Sequence, residues 1–190
     1  MTTTTSEQIR NGVDTAQLFG TLDAIKADPS LATFRFRARN RWVDGAHNRT
    51  RIQDFYAAGG EDVSRAEPFV LDAGEPPILL GTNQGPNPAE YLLHALAACL
   101  TTSLVYVAAA RGVHLIEVES TLEGEMDVQG ALGLSDDYRN GFERIRVGFR
   151  VRGDAPEEKL REIVARAQRR SAVFDMVTNG VPVDVDVEVG

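Results

Sequence analysis

The segment from Asn87 to Gly112 constrains the fold more than any other part of the chain. Asn87 and Pro88 suit the cap and first position of a helix, and Glu90 puts an acid in its first turn. Tyr91 to Arg111 is then apolar nearly all round, and Gly112 follows as a C′ residue. A helix of that kind is expected to be buried on most sides. Its longest apolar run, Ala95 to Ala110, is interrupted by Cys99, Thr101, Thr102, Ser103 and Tyr106, and falls short of the roughly 20 apolar residues of a membrane span. The expectation is the core helix of a soluble protein without a membrane partner.

The flanking patterns supply the cover. Residues 1 to about 13 are polar and Thr-rich and are expected to be a frayed or weakly docked start. Asp14 caps a short helix whose apolar positions Ala16, Leu18, Phe19, Leu22 and Ile25 end at Asp28-Pro29. From Phe34 to Trp42, apolar and polar residues alternate with Arg35, Arg37, Arg39 and Arg41, which predicts a strand. Asp44-Gly45 turns it toward a partner at Arg49 to Tyr56, with a third strand near Pro68 to Asp72. Gly74 to Pro88 holds four prolines and three glycines and is a loop.

After the long helix come three more alternating segments. One has Glu117, Glu119 and Glu123 on its outer face, one has Arg144, Arg146 and Arg150, and the last has Asp184, Asp186 and Glu188. The opposite signs predict that the acidic and basic strands lie side by side. An amphipathic helix from Pro156 to Arg170 turns Leu160, Ile163, Val164 and Ala167 inward. Antiparallel strands separated by helices make the fold class α+β.

Composition narrows the function. With 190 residues, 43% of them apolar, the chain is one domain with at most a short appendage. Its formal charge of −8 argues against nucleic acid. The N-terminus has no basic or apolar signal region, so a cytoplasmic location is expected. No histidine pair shows ligand spacing, so no metal and no cofactor are expected.

Cys99 is the one cysteine. It is either a small core hydrophobe or a nucleophile, and the second role needs a cation to lower a thiol pKa that starts near about 8.5. Cys99 lies mid-helix, so the cation must come from another element, and an arginine is the natural candidate. His94 is roughly 140° away around the helix and is not expected to touch it. The arginine stripe at 35 to 41 reads most simply as a solvated or ion-paired strand face.

The run Gly85-Pro86-Asn87-Pro88-Ala89-Glu90-Tyr91-Leu92-Leu93-His94-Ala95-Leu96-Ala97-Ala98-Cys99 resembles the N/S-P-x-E-x-L-L-x-A-L-x-x-C helix of the OsmC/Ohr family. The resemblance covers about residues 34 to 190 and leaves residues 1 to 33 as an N-terminal extension with a short helix. It implies curved antiparallel sheets around buried helices, an intertwined homodimer and an active site at the subunit interface. Cys99 matches the peroxidatic cysteine of the family, which reduces organic hydroperoxides. The resolving cysteine falls at Ser171, so turnover requires an external thiol reductant. The family's arginine-orienting acid falls at Ala89, with Glu90 the nearest acid. The family's arginine falls near Asn48, with Arg49 and Arg51 beside it. Three functions follow as expectations. The first is a one-cysteine thiol peroxidase using Cys99, Arg49 (or Arg51) and Glu90. The second is a non-catalytic dimer binding a small apolar ligand in the interface cleft, and the third is a thiol-dependent acyl transfer or hydrolysis with His47 as base.

Overall fold

The computed structural model describes residues 8–190, so the first half of the Thr-rich start lies outside the described residues. The chain forms two compact units, Asp14–Leu92 and Met1–Val13 with Leu93–Gly190, each with sheets of its own. The class is α+β, with small antiparallel sheets and helices.

The described chain opens with β1 (Ile9–Arg10) and β2 (Val13–Asp14), a hairpin where the composition suggests a frayed or weakly docked start. The two strands flank Asn11 and Gly12, both at positive φ, the residues a tight hairpin turn demands. The Asn11 side chain donates to the Val113 carbonyl at 2.9 Å and accepts the Leu115 N–H at 2.8 Å, tying the hairpin to the sheet of the larger unit.

In the Asp14–Leu92 unit, α1 (Thr15–Ala27) begins where the Asp14 carboxylate accepts the Gln17 N–H, and it ends before Asp28-Pro29 as its sequence predicts. Strands β3 (Arg39–Asp44), β4 (His47–Ile52) and β7 (Phe69–Ala73) form an antiparallel sheet in that spatial order. The strand expected from Phe34 starts only at Arg39, and Arg35 makes just an isolated bridge to Tyr56. The reason lies in the partner. The β4 ladder ends at Ile52↔Phe69, and beyond it Arg65 donates to the Gln53 carbonyl at 2.8 Å, turning the chain out of the sheet. Residues 55–57 then form β5 (Phe55–Ala57), paired with β6 (Gly60–Asp62). Phe34, Phe36 and Phe55 meet as a row of tilted rings with centroids 5.9 and 5.6 Å apart. The Gly74 to Pro88 loop holds one short 3-10 turn, Pro77–Leu79.

Helix α2 (Pro88–Ala110) is closed by Gly112 in the left-handed region at φ 74°, and Val113 N–H returns to the Ala108 carbonyl. At 23 residues it is long and apolar enough, by length and composition, to cross a membrane, a test that the core helix of a soluble protein passes as well. It is also less buried within the chain than expected. Leu96, Leu100, Leu104 and Ala108, spaced by four, form one buried stripe with Ala109 beside it, while Leu92 and Tyr106 stay exposed.

The second unit buries the C-terminal half of that stripe. Leu104 and Ala108 pack with Val113 and with Ile163 and Ala167 of α4 (Glu157–Arg170), and Val118, Phe149 and Val151 close the cluster from the sheet. That sheet is β8 (Leu115–Glu125) against β9 (Arg144–Gly153). Its register sets Glu117 opposite Arg152, Glu119 opposite Arg150, Glu123 opposite Arg146 and Glu125 opposite Arg144, the charge pairing that the sequence predicts. Between them lies the single-turn α3 (Val128–Ala131).

The C-terminal end departs from expectation. A short α5 (Ala172–Asn179) follows α4, and residues 181–190 form no strand. Val183, Val185, Val187 and Val189 are 77–88% exposed. Alternation predicts two faces but supplies no neighbour, and among the described residues no strand pairs with this segment.

Candidate functional site

The β4–β7 register puts Arg49 directly opposite Asp72, and His47 two residues from Arg49 shares that face. Their side chains converge on one oxygen. Arg49 Nε donates to Asp72 Oδ1 at 2.8 Å, and His47 Nε2 donates to the same atom at 2.7 Å. The Arg49 hydrogen bond, followed by the one from His47, holds the Asp72 carboxyl below the usual carboxylate range. His47 is the most enclosed of the three and Arg49 the most exposed.

The backbone of Asp72 is fixed as well. Tyr91, in the first turn of α2, donates its hydroxyl to the Asp72 carbonyl at 2.7 Å. Gly85 crosses the same carbonyl so closely that a Cβ there would lie 2.1 Å from the oxygen, which leaves room only for glycine. The loop before α2 and the first turn of α2 are thereby seated on the end of β7.

Arg41 stands opposite Arg49, and Arg39 opposite Arg51, on this same face. Like charges directly opposite weaken a ladder. Among the described residues, Arg39, Arg41 and Arg51 have no ion pair, so of the two arginines that the sequence left open only Arg49 is held by an acid. Asn48, where the family arginine falls, is on the other face with Trp42, and there Asn40 donates to Asn48 Oδ1 and Thr50 Oγ1.

Glu90 is placed differently. Its carboxylate accepts the Asn87 N–H at 2.8 Å while the Asn87 side chain accepts the Glu90 N–H at 2.8 Å, a reciprocal cap on α2. It makes no ion pair with an arginine among the described residues. Cys99 lies three turns into α2, partly buried, in the Leu93–Gly190 unit. Ser171 is buried in that unit, where its Oγ accepts the Phe174 N–H and caps α5. Asp72 is the residue that sequence reasoning missed. It reads there as the acid ending a strand, and only the register against β4 gives it a role. No group of three or more histidine, cysteine or acidic side chains among the described residues is placed to hold a metal.

A groove of about 1020 Å3 lies in the second unit between β9 and α4, lined by Val147, Phe149, Val151, Leu160 and Val164 together with Arg150. Cys99 does not line it.

A family model described as OsmC-like protein matches residues 81–186, more than half of the chain and including α2 with Cys99. The chain belongs to the OsmC-like family. Solved structures of OsmC-like proteins share its fold. The OsmC-like protein of Mycoplasma pneumoniae superposes with a TM-score of 0.57 at 13% identity, covering 81% of this chain and 96% of that one. An organic hydroperoxide resistance protein OsmC from Legionella pneumophila gives 0.51 at 17% identity, over 76% and 90%. An OsmC-like protein of unknown function from Vibrio cholerae gives 0.52 at 13%, over 76% and 94%. No curated protein matches the chain.

Proposed function

We propose that this OsmC-like protein is a thiol-dependent peroxidase that reduces organic hydroperoxides through Cys99, with Arg49 as the cation that stabilises its thiolate. The observation that carries the reading is the single, partly buried Cys99 inside the stretch that the OsmC-like family model matches. The name of the Legionella relative, an organic hydroperoxide resistance protein, agrees with it. Glu90 serves the site through the start of the helix that carries Cys99.

In the reaction, the Cys99 thiolate attacks the outer oxygen of ROOH. The S–O bond forms, the O–O bond breaks, and the alkoxide takes a proton to leave as ROH, so the thiol becomes a sulfenic acid. Ser171 offers a hydroxyl, which cannot form a disulfide. An external thiol therefore condenses with the sulfenic acid, releasing water, and a second thiol displaces the mixed disulfide to return Cys99 as thiol.

The reading includes a homodimer. Supporting it are the exposed Leu92 and Tyr106 of α2 and the unpaired valines of residues 181–190. Light scattering at micromolar concentration is expected to give twice the chain mass, and a folded monomer would refute this part.

The test of the chemistry is one equivalent of an organic hydroperoxide followed by dimedone. One adduct per chain is expected, abolished by Cys99→Ser and slowed by Arg49→Ala. A Cys99 that stays unmodified when folded and reacts promptly once unfolded would discard the peroxidase. It would favour the second reading, a non-catalytic member that binds a small apolar ligand, for which the groove between β9 and α4 is the candidate site.

A further inference from the structure

One end of the β3–β4 ladder is left without a counter-charge. Arg39 stands directly opposite Arg51, and from its other side Arg51 faces Val70 of β7. Neither arginine has an ion pair among the described residues, where β3 is an edge strand. We infer that Arg39 and Arg51 form a binding site for the dianionic phosphate group of a small molecule, seated in the cavity beside them. The site lies wholly within the Asp14–Leu92 unit, and Cys99 takes no part in it.

The cavity measures about 320 Å3 and is lined by Arg39 and Arg51 together with Arg37, Gln53, Asp54 and Pro68. Small-molecule sites begin near about 300 Å3, so there is room for the organic part of an ester as well as its phosphate. The acids of this corner act on Arg37 instead of the opposed pair. Glu61 takes both ends of the Arg37 fork at 2.7 Å, and Asp54 adds its charge from beyond ion-pair distance. The cavity is therefore neutralised on its Arg37 side and carries two uncompensated cations on the other.

Like charges directly opposite weaken a ladder, and an anion bridging the two guanidiniums removes that repulsion. A phosphomonoester brings two charges and three acceptor oxygens to two planar forks of N–H donors, whereas a carboxylate leaves one charge unmatched. The wall beside the pair is already fixed. Gln53 Nε2 donates to the Arg65 carbonyl at 3.1 Å while Arg65 donates to the Gln53 carbonyl at 2.8 Å. The Arg65 guanidinium lies over the rings of Phe55 and Phe69, 4.9 and 5.3 Å from their centroids. Little of this wall has to be ordered when a ligand arrives.

The experiment is a calorimetric titration of the full chain in phosphate-free buffer at constant chloride. The probes are phenyl phosphate, inorganic phosphate and benzoate, and the proteins are wild type, Arg39→Gln, Arg51→Gln and Arg35→Gln. Phenyl phosphate is expected to bind once per chain, and benzoate, with the same ring and one charge fewer, about tenfold more weakly or worse. Arg39→Gln and Arg51→Gln should each weaken phenyl phosphate by about tenfold or more. Arg35→Gln removes the same charge outside the cavity, where the guanidinium lies over Tyr56, and should bind as wild type does. Inorganic phosphate that binds as tightly as the ester identifies free phosphate as the occupant, and a preference for the ester identifies an organic phosphomonoester.

Wild type that binds no phenyl phosphate overturns the inference, and that is also the result if an acidic segment of a second copy occupies the two arginines. An equal loss in Arg35→Gln overturns it too, since a diffuse basic stripe then suffices, as does benzoate that binds as tightly as the ester. Ligand-free thermal midpoints show that each variant is folded. If one of the two cavity variants does not fold, the other decides, because both side chains line the same cavity.

Discussion

Asn87 and Glu90 exchange hydrogen bonds at the start of α2, each side chain accepting the backbone N–H of the other at 2.8 Å. The pair satisfies an orphan amide of the first turn and fixes where the helix bearing Cys99 begins. Replacing Asn87 with alanine is expected to cost about 1 kcal/mol, while Glu90→Gln, which keeps an acceptor, should cost less than half of that. Urea denaturation of both variants checks the order. Equal losses would mean that the Glu90 charge matters beyond the cap.

Leu104 is fully buried where α2 meets α4, against Ile163 and Ala167. Leu104→Ala is expected to destabilise the protein by about 2–5 kcal/mol, the range for an imperfectly collapsing cavity. Leu92→Ala on the same helix, at an exposed position within the chain, should cost under about 1 kcal/mol if the protein is a monomer. A loss comparable to that of Leu104 would show that an assembly covers this face.

Arg41 opposite Arg49 is a like-charge pair, and Arg41 has no acid within ion-pair distance among the described residues. Arg41→Thr, which suits an edge strand, is expected to stabilise the sheet by about 0.2–1 kcal/mol. The gain should shrink as salt is added, since screening already relieves the repulsion. A destabilised variant would mean that the guanidinium has a partner outside the described residues.

Acidification should weaken the fold from one direction only. Arg49 and then His47 lower the Asp72 carboxyl, Arg37 lowers Glu61, and Arg146 lowers Glu125. A carboxyl whose folded value lies below its unfolded one contributes stability above the unfolded value and loses it as pH falls through the folded one. Urea midpoints are therefore expected to hold from pH 7 to about 5 and to fall below about 4. Each pair is largely solvated, so single neutralisations should shift the curve little. A midpoint that stays level down to pH 3 would contradict the sign.

Ser171→Cys asks whether this chain keeps the family's resolving geometry. After one equivalent of hydroperoxide the variant is expected to lose two hydrogens per chain as Cys99 forms a disulfide with the introduced thiol, where wild type gains one oxygen. The thiol should also cost α5 about 1 kcal/mol of its cap, because sulfur is a poor acceptor for the Phe174 N–H. A stable sulfenic acid in the variant would mean that position 171 has left the site.

Elements with two internal references were legible from sequence, and those with one were not. β8 and β9 carry opposite charges on matching alternations, so each names the other, down to Glu119 opposite Arg150. The segment from Val183 alternates as cleanly but names no partner, and it stays unpaired among the described residues. Phe34 and Phe36 alternate with arginines as a strand would, yet the backbone leaves the ladder after Ile52 and their rings stack on Phe55 instead. The Asn11-Gly12 turn was readable in principle, since that dipeptide is a strong hairpin signal, but the strands on either side are only two residues long. The candidate residues divide the same way. Cys99 and the capped helix follow from a contiguous motif, whereas Asp72 meets His47 and Arg49 across more than twenty residues of chain, a distance only strand register spans.

The exposed C-terminal tail bears on self-association as well. Valine at every second position from Val181 to Val189 is the composition of a sticky edge, and such edges recruit copies of themselves. Here Asp184, Asp186 and Glu188 occupy the intervening positions, so two tails laid side by side would face carboxylate with carboxylate. The segment is thus written to refuse its own likeness while remaining open to a strand of opposite charge.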